Sequence, residues 1–176
     1  HGVMYSAIEF YEYAEKVGVK PLVGCEFYMH NGDIHEKNKE NNPCYHLILI
    51  AKNEKGYFNL IKLVSTAWCE GMYYHPRINM ELLEKYHEGL ICCSACLGGE
   101  LLQVLMKDGR EKAVEVAKKH KELFGDDYYI ELQDHGLSEQ KRTNPELISI
   151  AKELGIKMVI TNDSHYLKKE DADMHD

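Results

Sequence analysis

The chain has 176 residues, of which 44% are hydrophobic and 28% are charged, and its formal net charge is -8. This length and composition are typical of one globular domain with a sizeable core. The acidic charge argues against a domain that coats DNA, because non-specific phosphate binding needs clustered Lys and Arg. No apolar run is long enough to span a membrane and no signal peptide opens the chain, so we expect a cytoplasmic protein.

Hydrophobic periodicity predicts helices that alternate with strands along the chain. The predicted helices cover residues 6–17, 53–68, 79–86, 110–124 and 138–154, with further helices after Gly99 and from residue 166. The predicted strands cover residues 20–28, with Leu22 and Val23 in the core, and residues 45–51, 89–95, 127–132 and 158–160. This alternation is typical of an α/β barrel or of a doubly wound sheet with parallel strands.

The remaining segments give simpler expectations. Residues 30–43 are polar and predict an exposed loop, in which we expect His30 and His35 to be solvated. The aromatic residues and Arg77 in segment 71–77 favour packing of a loop onto the core over stacking on nucleic-acid bases. The six cysteines are predicted to be reduced thiols, because their spacing resembles no compact disulfide scaffold.

Polar side chains follow several predicted strands at the point where each strand ends. These are Glu26, Cys96, the group from Gln133 to His135, and the pair Asp163 and His165. Because the carboxyl ends of parallel strands converge in such folds, we expect these groups to meet. By contrast, His46 opens its strand, which is the wrong end for a parallel rim, so spacing alone gives it no ligand role.

Each of these residues also has a purely structural explanation. In one alternative, Asp163 caps a turn and His165 is a surface residue. Glu26 pairs with a Lys or Arg in another, since an unpaired buried carboxylate is costly. Cys96 can be a small buried hydrophobic residue. If the groups do converge, mixed Asp, Glu, His and Cys ligands suit Zn²⁺ or Mn²⁺, and the spacing predicts a metal-dependent hydrolase.

Motifs along nearly the whole chain resemble the PHP domain family, in the version found at the N-terminus of the alpha subunit of bacterial DNA polymerase III. They are His1-Gly2, Gly24-Cys25-Glu26, Tyr45-His46-Leu47, Ser94-Ala95-Cys96, Glu131 to Gly136 and Asn162 to Tyr166. The resemblance implies a distorted seven-stranded β/α barrel with a centre of two or more ions, Zn²⁺ or Mn²⁺. The implied metal ligands are His1, Glu26, His46, Cys96, Asp163 and His165, whereas His135 is left as a nearby polar residue.

The resemblance also implies two alternative functions. In some family members the metal centre is a phosphodiesterase that removes nucleotides from a DNA 3′ end, which is 3′ to 5′ exonuclease proofreading. In others the domain is a non-catalytic scaffold that stabilises the polymerase chain and contacts the proofreading exonuclease subunit. An unrelated hydrolase of the amidohydrolase type is disfavoured, because the chain contains no H-x-H motif.

The same missing motif separates this chain from the family pattern. The family carries H-x-H on its first strand, and this chain starts at His1 without it. We therefore expect residues 1–176 to be one PHP domain fragment of a larger polymerase, a DNA-directed nucleotidyltransferase. Its barrel would lack the first strand, so its edge would be exposed or closed by a partner chain, and its metal sites would be partly occupied.

Overall fold

A single sheet flanked by helices forms the centre of the protein. The computed structural model describes residues 1–38 and 43–175. The strands are β1 (Gly24–His30), β2 (Cys44–Ala51), β3 (Met72–Tyr73), β4 (His75–Ile78), β5 (Leu90–Cys93), β6 (Tyr128–Leu132) and β7 (Lys157–Ile160). The helices are α1 (Ala7–Val17), α2 (Glu54–Cys69), α3 (Met80–Tyr86), α4 (Glu100–Asp108), α5 (Arg110–Phe124), α6 (Ser138–Leu154) and α7 (Ala172–His175). The predicted α/β class is confirmed, although β3 and β4 were not predicted.

The seven strands found within residues 1–38 and 43–175 lie in the order β3-β4-β1-β2-β5-β6-β7. β5, β6 and β7 are parallel neighbours, as are β1 and β4. β2 instead runs antiparallel to both β1 and β5. The expectation of parallel strands throughout is therefore wrong at β2. A parallel neighbour needs a crossover connection, usually a helix, and no helix lies in the described part of the segment between β1 and β2.

The outer strands show that the sheet is open. β3 and β7 are its edges, and they do not pair with each other within residues 1–38 and 43–175. Residues 158–160 form a strand as predicted. The prediction that this strand is buried is wrong, since Ile160 is 85% and Met158 40% exposed. β7 has a neighbouring strand on one side only. None of the described helices is both long and apolar enough to cross a membrane.

The core lies between the sheet and the helices packed on it. Its fully buried side chains include Phe27 of β1, Leu49 of β2, Leu63 of α2 and Ile130 of β6. Burial alternates along the second half of β2. His46, near the start of that strand, is partly exposed. Leu22, predicted to be a core residue, is 60% exposed because β1 begins only at Gly24.

Arg77 of β4 fixes the segment that follows β1. Its side chain is fully buried and donates hydrogen bonds to the carbonyls of Gly71, Ile34 and Glu36 at 3.0, 2.6 and 2.9 Å. These contacts confirm the packing of Arg77, but Tyr74 is 64% exposed and His75 is exposed, so the predicted packing of segment 71–77 onto the core is only partly correct.

The predicted exposed loop over residues 30–43 is only partly correct. His35 is exposed as expected, but Ile34 is buried. His30 is the last residue of β1 and is 3% exposed, with its Nδ1 3.2 Å from the carbonyl of Pro43. The prediction of a solvated His30 is therefore wrong, and residues 39–42 lie outside the described part of the chain.

A second buried histidine, His120 of α5, makes stability depend on pH. Its ring is 2% exposed, stacks on Tyr128 and hydrogen-bonds through Nδ1 to the carbonyl of Val116. Its Nε2 has no hydrogen-bond partner among the described residues. Burial lowers the pKa of His120, against smaller opposing effects of the hydrogen bond to Val116 and of Glu100. The folded protein therefore favours neutral imidazole at this position.

We expect the free energy of unfolding to fall as the pH falls below about 6.5, the pKa of His in an unfolded chain. Below that pH the unfolded chain takes up a proton on His120 that the folded chain resists. The His120→Phe variant should lose part of this dependence, whereas His35→Phe, at an exposed position, should keep it. Urea unfolding between pH 7.5 and pH 5 measures the effect, and equal slopes for both variants would contradict it.

Candidate metal centre

The carboxylate of Glu26 lies between two imidazole rings. Its Oε2 is 2.9 Å from Nδ1 of His1, and its Oε1 is 3.0 Å from Nδ1 of His46. His46 pairs with Tyr28 across the β1–β2 ladder, and Tyr28 lies two residues beyond Glu26. Glu26 and His46 are therefore diagonal neighbours on one face of the sheet. The antiparallel direction of β2 brings the start of that strand beside the end of β1, which removes the objection to His46.

Cys96 joins this cluster from the loop after β5. Its Sγ lies 3.4 Å from Nδ1 of His46 and accepts a hydrogen bond from the backbone N–H of Gly98 at 3.4 Å. His46 N–H donates to the carbonyl of Gly98 at 2.9 Å, so the loop wraps around this histidine. A Cβ at Gly98 would lie 2.9 Å from the His46 ring, so glycine permits the close approach.

Asp163 and His165 reach the site differently from the prediction. β7 ends at Ile160, so both residues lie in the following loop and strand alternation does not apply to them. A carboxylate oxygen of Asp163 nevertheless lies within 4.8 Å of ligand atoms of Glu26 and Cys96. The exposed His165 donates through Nδ1 to the carbonyl of Asp163 at 2.8 Å, and its ring centroid is 6.2 Å from that of His1.

Two overlapping groups of side chains could hold a cation. One consists of His1, Glu26 and His46, and the other of Glu26, Cys96 and Asp163, with ligand atoms within 4.8 Å of one another in each group. Tetrahedral zinc at about 2.0–2.3 Å from its ligands would need them about 3.5 Å apart, so modest side-chain shifts suffice. The nitrogen, oxygen and sulfur donors suit Zn²⁺, and five of the six predicted ligands come together. His165 lies beside these groups and belongs to neither.

The electrostatics of the cluster centre on His46. Hydrogen bonds with Cys96 and Glu26 raise the pKa of His46 to about 10, although burial acts in the opposite direction. Cys96 and Glu26 therefore favour the protonated form of the His46 ring. A cation that bound Nδ1 would have to displace that proton.

Glu131 of β6 lies beneath the cluster and was not predicted to have a role. It is 1% exposed and accepts hydrogen bonds from the backbone N–H of Ala95 and from the Thr161 hydroxyl. Burial raises the pKa of Glu131, and these hydrogen bonds partly offset that effect. A carboxylate inside the apolar run Tyr-Tyr-Ile-Glu-Leu was the available sequence signal, the same kind of signal that identified Glu26.

His135 contacts the loop that carries Asp163. Its Nε2 is 2.9 Å from the carbonyl of Asn162, and its Nδ1 is 3.0 Å from Nε2 of Gln140. It belongs to neither ligand group. It thus contacts the backbone of a loop that carries a candidate ligand.

The α/β sheet brings imidazole, carboxylate and thiol groups together near its strand ends. The protein therefore has a candidate metal centre. Residues 1–135 match the PHP domain family. The chain therefore belongs to the PHP domain family.

Several curated relatives are DNA polymerase III alpha subunits. That of Borreliella burgdorferi is 45% identical over 178 residues, and that of Deinococcus radiodurans is 46% identical over 181 residues, each match covering 100% of this chain. That of Treponema pallidum is 46% identical over 175 residues, covering 98% of this chain. The chain spans only 14–16% of the length of these three relatives.

The thiols differ enough in exposure to test the position of Cys96. Burial raises the pKa of Cys25 and Cys93 to about 12 and also raises the pKa of Cys92, whereas Cys96 is half-buried and Cys69 is exposed. We expect iodoacetamide to modify Cys69 and Cys96 of the folded, chelator-treated chain well before the buried Cys25, Cys92 and Cys93. Peptide mass spectrometry with time measures the order. Labelling of Cys93 as fast as Cys96 would contradict it.

Proposed function

We propose that this chain is the PHP domain of a bacterial DNA polymerase III alpha subunit and takes part in DNA replication. The support is its identity of 45–46% to three such subunits over nearly its whole length. In this proposal residues 1–176 belong to a larger DNA-directed DNA polymerase. The rest of that chain would supply the strand that completes the distorted barrel of the family.

We also propose that the cluster is a phosphodiesterase centre acting on a DNA 3′ end. The observation that carries this proposal is that one carboxylate, Glu26, belongs to both ligand groups. His1 and His46 would complete one cation site, and Cys96 and Asp163 the other. His165 would join from its position beside His1. The ions would be Zn²⁺ or Mn²⁺, which when bound polarise a phosphate and make hydroxide available near neutral pH.

The residues of the chain leave this centre accessible to a substrate. The side chains of His1, Glu26 and His46 are 33%, 21% and 25% exposed, so a phosphodiester can approach them. The ring of Tyr28 stacks on His1 at 5.5 Å and on the exposed His75 at 4.3 Å. Tyr28 thus links His1 to His75 in one row of stacked rings beside the centre.

A scaffold function is the second candidate, and the surface around α1 favours it. Ile8, Phe10 and Tyr13 of this helix are 66%, 53% and 66% exposed. A cavity of about 680 Å³ lies beside α1 and is lined in part by Tyr11 and Tyr57. Exposed apolar surface of this kind marks an interaction site. Its occupant would be the remainder of the polymerase chain, with the proofreading exonuclease subunit as a further partner.

The metal centre predicts that Glu26→Gln weakens both cation sites. In the full-length polypeptide that carries this chain, we expect the affinity for Zn²⁺ to fall by more than the roughly 10–100-fold caused by losing an outer-shell partner. His1→Ala should affect one site and Asp163→Ala the other, while Glu115→Gln, at an exposed position on α5, should bind as the unmodified protein does. Calorimetric titration after treatment with chelator measures affinity and stoichiometry. Unchanged binding by Glu26→Gln would contradict the centre.

The phosphodiesterase proposal predicts digestion of single-stranded DNA from its 3′ end. We expect chelator to stop the reaction and Zn²⁺ or Mn²⁺ to restore it, and we expect Asp163→Ala to be inactive. Electrophoresis of 5′-labelled oligonucleotides measures the products, with Glu115→Gln as the active control. Bound ions without digestion would instead support the scaffold function.

A further inference from the structure

The carboxylate of Glu131 joins the two loops that carry Cys96 and Asp163. Its Oε1 accepts a hydrogen bond from the backbone N–H of Ala95 at 3.0 Å, and its Oε2 accepts one from the Thr161 hydroxyl at 2.5 Å. Ala95 immediately precedes Cys96, and Thr161 lies two residues before Asp163. One buried side chain therefore contacts both loops close to their candidate ligands.

Both loops adopt a backbone conformation that has to be held in place. Ala95 has φ +63° and Asp163 has φ +48°, values in the left-handed region. This region costs an L-residue about 1–2 kcal/mol, and such strain persists only where the surroundings impose it. For Ala95 the hydrogen bond to Glu131 is part of that surrounding structure. For Asp163 the corresponding support comes through Thr161, whose N–H also donates to the carbonyl of Leu132 at 3.2 Å.

Glu131 belongs to a connected hydrogen-bond network. Its own N–H donates to the Ser94 hydroxyl at 2.9 Å, and Thr161 Oγ1 lies 3.2 Å from Nε2 of Gln133. No salt bridge reaches Glu131 among the residues that the structure describes. A buried carboxylate costs several kcal/mol unless hydrogen bonds satisfy it, and here both oxygens are directed at the two loops. A fully satisfied buried network of this kind rigidifies what it contacts.

We infer that Glu131 is a positioning residue that sets the separation between Cys96 Sγ and the Asp163 carboxylate. Through that separation it would determine how tightly Glu26, Cys96 and Asp163 hold a cation. This inference rests on the metal centre proposed above. Removing the hydrogen-bond partner of a metal ligand typically lowers metal affinity about 10–100-fold, and a similar loss is expected when this network is broken.

The test is the Thr161→Val variant of the full-length polypeptide that carries this chain, because valine keeps the shape of threonine and replaces the hydroxyl with a methyl group that cannot donate a hydrogen bond. We expect its affinity for Co²⁺ to fall about tenfold, with weaker thiolate-to-Co²⁺ absorption from Cys96. Thr161→Ser should restore both. Thr143→Val is the matched control, since Thr143 is 4% exposed and its hydroxyl donates to the carbonyl of Glu139 within α6.

A second measurement needs no metal. With chelator present, hydrogen exchange of Thr161→Val should be faster both in residues 161–165 and in residues 94–99. The second segment carries no substitution and is linked to Thr161 through Glu131. Thr143→Val should leave exchange in both segments unchanged.

The two measurements separate this inference from the proposed function. Faster exchange in both segments without any thiolate-to-Co²⁺ absorption in the unmodified protein supports the link and overturns the metal centre. Normal Co²⁺ binding and unchanged exchange in Thr161→Val overturn the positioning role. Loss of Co²⁺ binding in Glu131→Gln, with Thr161→Val normal in both measurements, would make Glu131 a ligand and also overturn it.

Discussion

The direction of β2 is the constraint on which the candidate site depends. Because β2 runs antiparallel to β1 and β5, its first residues lie beside the end of β1 and the loop that follows β5. His46 is thereby placed 3.0 Å from Glu26 and 3.4 Å from Cys96. A parallel β2 would carry His46 to the opposite end of the sheet, away from both side chains. One reversal of chain direction thus decides whether three distant segments form a cluster.

The same end of the sheet concentrates features that cost stability. Of the three non-glycine residues with positive φ in the described part of the chain, Ala95 and Asp163 lie in the loops of the cluster. Glu131 is a buried carboxylate there, and Gly98 allows the backbone to approach the ring of His46. The sheet interior behind this end is apolar. Strain and buried charge gathered in one place, over an otherwise ordinary core, are typical of a functional site.

The surface away from the cluster has a different character. α1 and the edge strand β7 both expose large apolar side chains, including Ile8 at 66% and Ile160 at 85%. Soluble monomers rarely expose extended apolar patches, and unpaired edge strands are prone to pairing. In the relatives, this region is only 14–16% of a much longer polypeptide. Under the proposed function, the rest of the polymerase chain would pack against both of these apolar surfaces.

The sequence by itself determined the α/β class, most helices and strands, and the residue types at the strand ends, because periodicity and capping are local properties. Resemblance added His1 and His46 as candidate ligands. Only the tertiary structure decided that β2 is antiparallel, that His30 is buried, that β7 is exposed and that Glu131 joins two loops. These features depend on which segments become neighbours. Neighbours are chosen by packing and hydrogen bonding across the whole chain, which no local pattern records.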